Sequence, residues 1–257
     1  MRQDIEWYIR LAELGMFRRS DLRDILYEKA EDIFRYFSNM DYIDHVNDDW
    51  YVLLDIDTRY PLIDHYWIVP KMFPDACVCL HTAFELYGAY NQVYFTVYVN
   101  SPKPFDYFEY YRVGYTYIPI TTPRKIVYVN DIPHTCIEQT IVDSIAGLEK
   151  YCDLEELIQS ISLLPSFSEA KILEECNIRN DSFVWQKVGY IFEYFAEQYS
   201  LSNDFFEACK ANITTEFPDK RLDQCSMYNL VYHQTWKLYA PETLDVFLYE
   251  PFFDADV

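Results

Sequence analysis

Five cations cluster near the start of the chain: Arg18, Arg19, Arg23, Lys29 and Arg35. Guanidinium and ammonium groups can replace the counterions of a phosphate backbone, so these five are the candidate DNA contacts. Three other groupings have the right types for chemistry. Cys77-x-Cys79-x-His81 offers sulfur and imidazole ligands for zinc. A structural zinc site needs four ligands, and no second Cys/His pair at ligand spacing follows, so buried thiols are expected there. Asp55-Ile56-Asp57 would place two carboxylates on one face of a strand, the arrangement that holds Mg²⁺ in nucleotidyl and glycosyl transferases. The Gly-Ser turn that such a transferase uses upstream is missing, and a solvated strand end is the plainer reading. His134, Cys136 and Asp143 have the types of a Cys/His nucleophile system. Asp143 sits inside an apolar helical stretch, where a carboxylate must be paired or capped, and a structural hydrogen bond to a neighbouring strand or loop is expected. There is no P-loop, no dinucleotide-binding glycine fingerprint and no Gly-x-Ser-x-Gly elbow. The expectation is a protein without enzymatic activity, metal or cofactor.

The bulk composition narrows the partners. The chain has 257 residues with a formal net charge of −21, and 19% are aromatic, with 25 Tyr against only 5 Gly. That much aromatic surface can offset the ordering entropy of folding, which argues against disorder. The acidity disfavours nucleic acid as a bulk partner and suits a basic protein. The Tyr excess fits either an adhesive surface or core filling. The seven Cys are an odd, scattered set: Cys77, Cys79, Cys136, Cys152, Cys176, Cys209 and Cys225. The charged N-terminal MRQDIEWYIR does not read as a secretory signal. No apolar run reaches the roughly 18 to 20 residues of a membrane span. Together these point to a soluble protein of a reduced cytoplasm.

The elements that must position the cations come first in the chain. Ile5, Tyr8, Ile9, Ala12 and Leu14 form a helical stripe that stops at Gly15. Ser20 caps a second helix over 21–27, and Ala30, Ile33, Phe34, Phe37 and Met40 form a third stripe. Residues 42–46 and 50–54, joined by Asn47-Asp48-Asp49, read as a β-hairpin. Three helices and a hairpin are the order of a winged helix-turn-helix, predicted over residues 1–60. That segment carries 8 Lys and Arg against 14 Asp and Glu, and Glu28, Glu31 and Asp32 stand beside the cations of the third helix.

Residues 61–257 are predicted to form a mixed α/β sheet domain ending in a helical C-terminal part, so that the whole chain is α+β. Pro61, Pro70 and Pro74 mark the entry. A helix over 80–87 stopped by Gly88 precedes a strand over 93–99 that ends at Asn100-Ser101-Pro102. Further strands are predicted within 105–120 and at 125–129. Helical faces follow from Ile137 to Ile145 and from Leu154 to Ile161, then a helix opened by Ser168 and a long amphipathic helix over 184–199. Residues 242–257 read as a docked extension or a partner-binding tail.

Three segments of this domain carry a family resemblance: ACVCLHTAFELYGAYNQVYFTVYV (76–99), PHTCIEQTIVDSIAGLEKYCDLEELIQSI (133–161) and KVGYIFE (187–193). In this order, after a winged helix, they resemble the AbiEi-type antitoxins over most of residues 1–200. At the position of the family's Arg after the Glu, this chain has Gln139. The resemblance implies an antitoxin of a toxin-antitoxin system used in abortive infection, a phage defence. Its toxin would be a nucleotidyltransferase-like protein encoded nearby. It further implies a transcriptional regulator that represses its own operon through the winged helix, with antitoxicity carried by the C-terminal domain. Two other readings stand beside it: an acidic protein-interaction module whose winged helix no longer binds DNA, and a metal-dependent transferase using Asp55 and Asp57.

Overall fold

A computed structural model of the chain describes residues 2–26, 29–214, 220–223 and 229–248. Tyr27 at the expected end of the second helix, Glu28, Cys225 and residues 249–257 of the expected tail lie outside the described residues. The chain divides into two compact units, one formed by Met1–Cys77 with Phe95–Pro119, the other by Val78–Tyr94 with Ile120–Val257.

In the first unit, helix α1 (Arg2–Leu14) stops where Gly15 turns left-handed at φ +67° and its N–H closes on the Leu11 carbonyl at 3.1 Å. Strand β1 (Met16–Arg18), helices α2 (Asp21–Leu26) and α3 (Ala30–Asn39), and the hairpin β2 (Ile43–Asn47) and β3 (Trp50–Leu53) follow. The strands lie in the antiparallel order β1-β3-β2. Asp48 takes φ +48° in the hairpin turn, where the Asn47 side chain accepts its N–H at 3.1 Å. The helices close over this small sheet by burying Leu11, Phe17, Leu22, Ile33, Phe37 and Leu53. Each such side chain contributes about 2 kcal/mol by leaving water.

The α1 stripe differs from expectation. Leu11 is fully buried with Trp7 and Tyr8 packed on the same core, whereas Ile5 and Ile9 are 56% and 53% exposed. At about 3.6 residues per turn, Ile5 and Ile9 fall on the side away from Leu11, and the two larger aromatic rings occupy the core face. The same unit continues through a turn of 3₁₀ helix (His65–Trp67), capped by Asp64, into α4 (Ile68–Met72).

Strand β4 (Cys77–Val78) and helix α5 (His81–Leu86) come next and lead into the second unit. The first unit then resumes with β5 (Thr96–Asn100), β6 (Phe108–Tyr110) and β7 (Val113–Ile118) in the order β6-β7-β5. β5 runs parallel to β7, and β6 antiparallel to it. Strand β5 begins three residues later than the apolar run predicts, and Val93 and Phe95 are exposed. Its register starts at Thr96 opposite Gly114, one residue into β7, and the Gly114 N–H reaches back to the Phe95 carbonyl at 2.7 Å.

In the second unit Val78 pairs in parallel with His134 of β9 (Ile132–Thr135), which pairs antiparallel with β8 (Ile126–Val129). Strand β9 lies outside the predicted strands. Its signal is Asn130-Asp131, both at positive φ, the turn that a two-residue hairpin requires. Helices α6 (Ile137–Ala146), α7 (Leu154–Ser162), α8 (Glu169–Arg179), α9 (Ser182–Tyr194), α10 (Ala196–Tyr199) and α11 (Asn203–Ala211) follow, then the hairpin β10 (Leu230–His233) and β11 (Leu238–Pro241). Parallel and antiparallel pairing beside these helices makes the chain mixed α+β. No helix of the described residues is long and apolar enough to cross a membrane.

The predicted amphipathic helix over 184–199 is instead interrupted at Phe195, and every residue from Val184 to Phe192 is buried. α9 is therefore a central helix of this unit. Gly189 lets the Trp236 ring lie on it: a Cβ there would come within 2.1 Å of Trp236 Cζ3. Glycine to alanine inside a helix ordinarily stabilises. Here Gly189→Ala is expected to destabilise by about 2 to 3 kcal/mol through overpacking. Thermal unfolding reads this as a midpoint several degrees lower, and an unchanged or higher midpoint would show that the ring is not seated on α9.

Candidate functional site

The five predicted cations lie on the first unit, and the local fold sets an acid against the two nearest the β1–α2 turn. Arg18 closes β1, and its backbone N–H and guanidinium both donate to Asp21 in the first turn of α2, at 2.9 to 3.3 Å. Its guanidinium also lies 5.2 Å from the Trp50 ring centroid. Arg19 donates two hydrogen bonds to Glu31 at the start of α3 and lies over Phe34 at 4.9 Å. Lys29 lies 5.8 Å from the Trp7 ring. Arg23 and Arg35 are exposed. Arg19, Ser20, Arg23, Glu31 and Asp49 line one cleft.

The electrostatics follow from this interleaving. Arg19 holds the Glu31 carboxyl below its ordinary range, with Arg23 and Arg35 adding smaller contributions. Burial pushes Asp21 up, but the bonds from Arg18 outweigh it and the net shift is downward. Solvent screens exposed pairs of this kind and they add little stability, so a phosphate can exchange for the carboxylates at small cost. Carboxylates thus oppose two of the five cations, Arg18 and Arg19.

The other predicted groupings have structural roles. β3 ends at Leu53, so Asp55 and Asp57 lie in a turn and do not share a strand face. The Asp55 carboxylate accepts the N–H of Asp57 and both the N–H and hydroxyl of Thr58 at 2.7 to 3.1 Å. Those bonds lower its pKa and tie it to the turn. Cys77 and Cys79 are buried, and His81 opens α5 with its ring 3.1 Å from Glu156 and stacked on Tyr94 at 4.3 Å. Among the described residues no group of three His, Cys, Asp or Glu could hold a metal ion.

His134 Nδ1 meets the Ile132 carbonyl at 3.0 Å, and burial pushes its pKa down. Burial pushes the Cys136 thiol up, opposite to what an activated nucleophile requires. Asp143 is paired, as expected of a buried carboxylate, but its partner is Arg179 of α8, not a strand or loop. Gln139, where the resembled family has Arg, is almost fully buried. It accepts the Lys125 N–H at 2.8 Å and donates to the Pro123 carbonyl at 3.2 Å, pinning the loop before β8. Lys187 is buried in α9 beside the Ile145 carbonyl at 3.4 Å, and Glu193 accepts from the Trp236 indole at 2.7 Å.

A second concavity of the first unit, of about 280 Å³, escaped the sequence reading. It is walled by Tyr60, Tyr110, Tyr111 and Tyr115, with Asp64 and His65 at its edge. The hydroxyls of three of these rings anchor them: Tyr110 donates to Asp44 at 3.0 Å, Tyr111 to the Arg59 carbonyl at 3.0 Å and Tyr115 to the His65 carbonyl at 3.2 Å. The only sequence signal was the general excess of Tyr. Nothing local marks residues some fifty positions apart as neighbours.

No family model matches the chain, and no curated protein matches it. Among solved structures the chain is similar to the RV2827C protein from Mycobacterium tuberculosis. The two share 12% sequence identity with a TM-score of 0.65, over 93% of this chain and 92% of that chain. At this identity the likeness is one of fold.

The Asp143–Arg179 pair gives a sharp test of its structural role. Both side chains are about four-fifths buried. Arg179→Met strands a carboxylate and is expected to destabilise by about 3 kcal/mol in urea unfolding. Asp143→Asn added to Arg179→Met should recover much of that loss. A double variant no better than Arg179→Met would mean that the loss comes from packing and not from the unpaired charge.

Proposed function

We propose that the chain is an antitoxin-like regulator of the AbiEi type. Its first 60 residues act as a winged helix-turn-helix, and the remainder neutralises a nucleotidyltransferase-like toxin encoded nearby, in the cytoplasm. The observation that carries this reading is the succession α1-β1-α2-α3-β2-β3, with a three-stranded sheet that ends in a hairpin. It supports a helix-turn-helix with a wing, and the three sequence segments quoted above supply the rest. Operator binding in this reading falls to Arg18, Arg19, Arg23, Lys29 and Arg35.

A second reading, favoured by a specific observation, is an acidic protein-interaction module. Arg18 and Arg19 are engaged by Asp21 and Glu31, and the chain carries a net charge of −21. A basic protein surface suits that charge better than phosphate does. The paired carboxylate site at Asp55 and Asp57 is not carried further, because Asp55 is occupied by its own turn.

Growth rescue tests the antitoxin reading. The adjacent reading frame, expressed from a tight promoter, should stop growth, and co-expression of this full chain should restore it. A harmless neighbour, or a toxic one that this chain does not neutralise, would sink the reading. DNA binding is tested separately, with fragments of the upstream region at several salt concentrations. If Arg18 and Arg19 each neutralise a phosphate, changing both to Ala reduces the slope of log K against log salt by about 2. An unchanged slope removes them from the interface, and undetectable binding by the unaltered chain favours the interaction module.

A further inference from the structure

The geometry points to the tyrosine-walled cavity of the first unit as a receptor for a cationic side chain, arginine or lysine, presented by a basic protein partner. This inference stands apart from the antitoxin reading, since the cavity is the same whichever protein approaches it.

Four aromatic rings from two stretches of chain converge there. Tyr60 and Tyr111 have centroids 6.1 Å apart with planes at 60°, and Tyr110 and Tyr111 lie 4.9 Å apart at 53°. Rings set at such angles form a corner that can offer a cation more than one π-face. Tyr60 and Tyr111 are exposed, so the mouth is open to solvent, while Tyr110 and Tyr115 are buried and form the deeper wall. The volume of about 280 Å³ is at the lower limit of small-molecule sites and suits one side chain better than a larger ligand.

Two carboxylates stand at the cavity. Asp64 borders it, with Oδ1 accepting the Tyr66 N–H at 2.9 Å, and its side chain is half exposed. The Asp44 carboxylate lies behind Tyr110 at hydrogen-bond distance. After burial, Asp64 is the cause that raises the Tyr115 pKa, and Asp44 is the next cause for Tyr110 and Tyr111. The rings therefore already feel negative potential. His65 Nδ1 lies 3.3 Å from Asp64 Oδ1, and burial pushes the His65 pKa down against the pull of Asp64. Asp64 is the carboxylate lining the cavity.

The neighbouring cation of the chain does not fill the space. Arg59 directs Nη1 to the carbonyls of Met40 and Asp41 at 3.1 and 3.0 Å and lies over Tyr42 at 4.3 Å. A carboxylate beside an aromatic corner attracts guanidinium and ammonium groups and gives nothing to a neutral chain of the same shape. The net charge of −21 selects a protein with exposed basic side chains as their source.

The test is a titration of the full chain with a capped tripeptide Gly-Arg-Gly and with its citrulline counterpart, equal in shape but uncharged, followed by the ring resonances of tyrosine. The arginine peptide should shift Tyr60 and Tyr111 saturably and bind at least about tenfold more tightly than the citrulline peptide. Asp64→Asn and Tyr111→Ala should each weaken the arginine peptide by about fivefold. Both variants are checked for an unaltered circular dichroism spectrum, and Tyr60→Ala replaces either one that fails to fold. Equal binding of the two peptides would overturn the proposal in favour of a merely apolar pocket. So would the absence of any shift at millimolar peptide. Choline binding without arginine peptide binding would overturn the side-chain source and leave a small-molecule site.

Discussion

The second unit depends on one helix being buried along most of its length. From Val184 to Phe192 no residue of α9 reaches solvent, so every polar group it carries needs a partner inside the protein. Gln186 donates to the Lys237 carbonyl at 3.1 Å, Tyr190 to the Pro241 carbonyl at 2.6 Å, and Lys187 reaches Ile145 of α6. Glu193 takes the indole N–H of Trp236. These bonds, with the burial of Trp236, Leu238 and Ala240 in the same core, attach the β10–β11 hairpin to the helices. The seat for Trp236 exists because residue 189 has no side chain. Burial of Lys187 lowers its pKa, the cost of placing an ammonium where carbonyl oxygens and the Phe183 ring stand in for water.

The first unit depends on charge in a different way. It has a small apolar core under three helices, and two of its cations, Arg18 and Arg19, are paired with Asp21 and Glu31. Two exposed pairs of this kind add little stability. Their effect is on the local field: they offset part of the positive charge near the β1–α2 turn. The same unit carries an aromatic cavity bordered by a carboxylate.

Much of the secondary structure could be read from local pattern. The hairpin β2–β3 and the faces of α6 and α7 lie where spacing puts them, and Gly15 and Gly88 both take positive φ at the ends of helices. Two of the misplacements have a tertiary cause and the third a compositional one. The Ile5–Ile9 stripe is as regular as the one buried, and only the presence of the rest of the core decides which face turns inward. The apolar run over 93–99 has strand propensity throughout, yet it pairs only where β7 supplies a partner. The helix over 184–199 has too few polar residues to be amphipathic, which is the mark of a central helix.

The candidate sites divide along the same line. Residue types alone determined that this chain is acidic, rich in tyrosine, mixed in its helices and strands, and without a recognisable catalytic fingerprint. They also required that Asp143 be paired or capped, because a bare carboxylate in an apolar helix is costly. Tertiary structure alone decided that the partner is Arg179 and that Arg19 faces Glu31. It alone brought Tyr60 and Asp64 beside Tyr110 and Tyr111. The Asp55 turn and the Arg18–Asp21 pair close within three residues and needed only the local backbone path. The Arg19–Glu31, Asp143–Arg179 and Tyr60–Tyr111 neighbours lie 12 or more residues apart, beyond the reach of periodicity and capping, and form only when distant segments pack together.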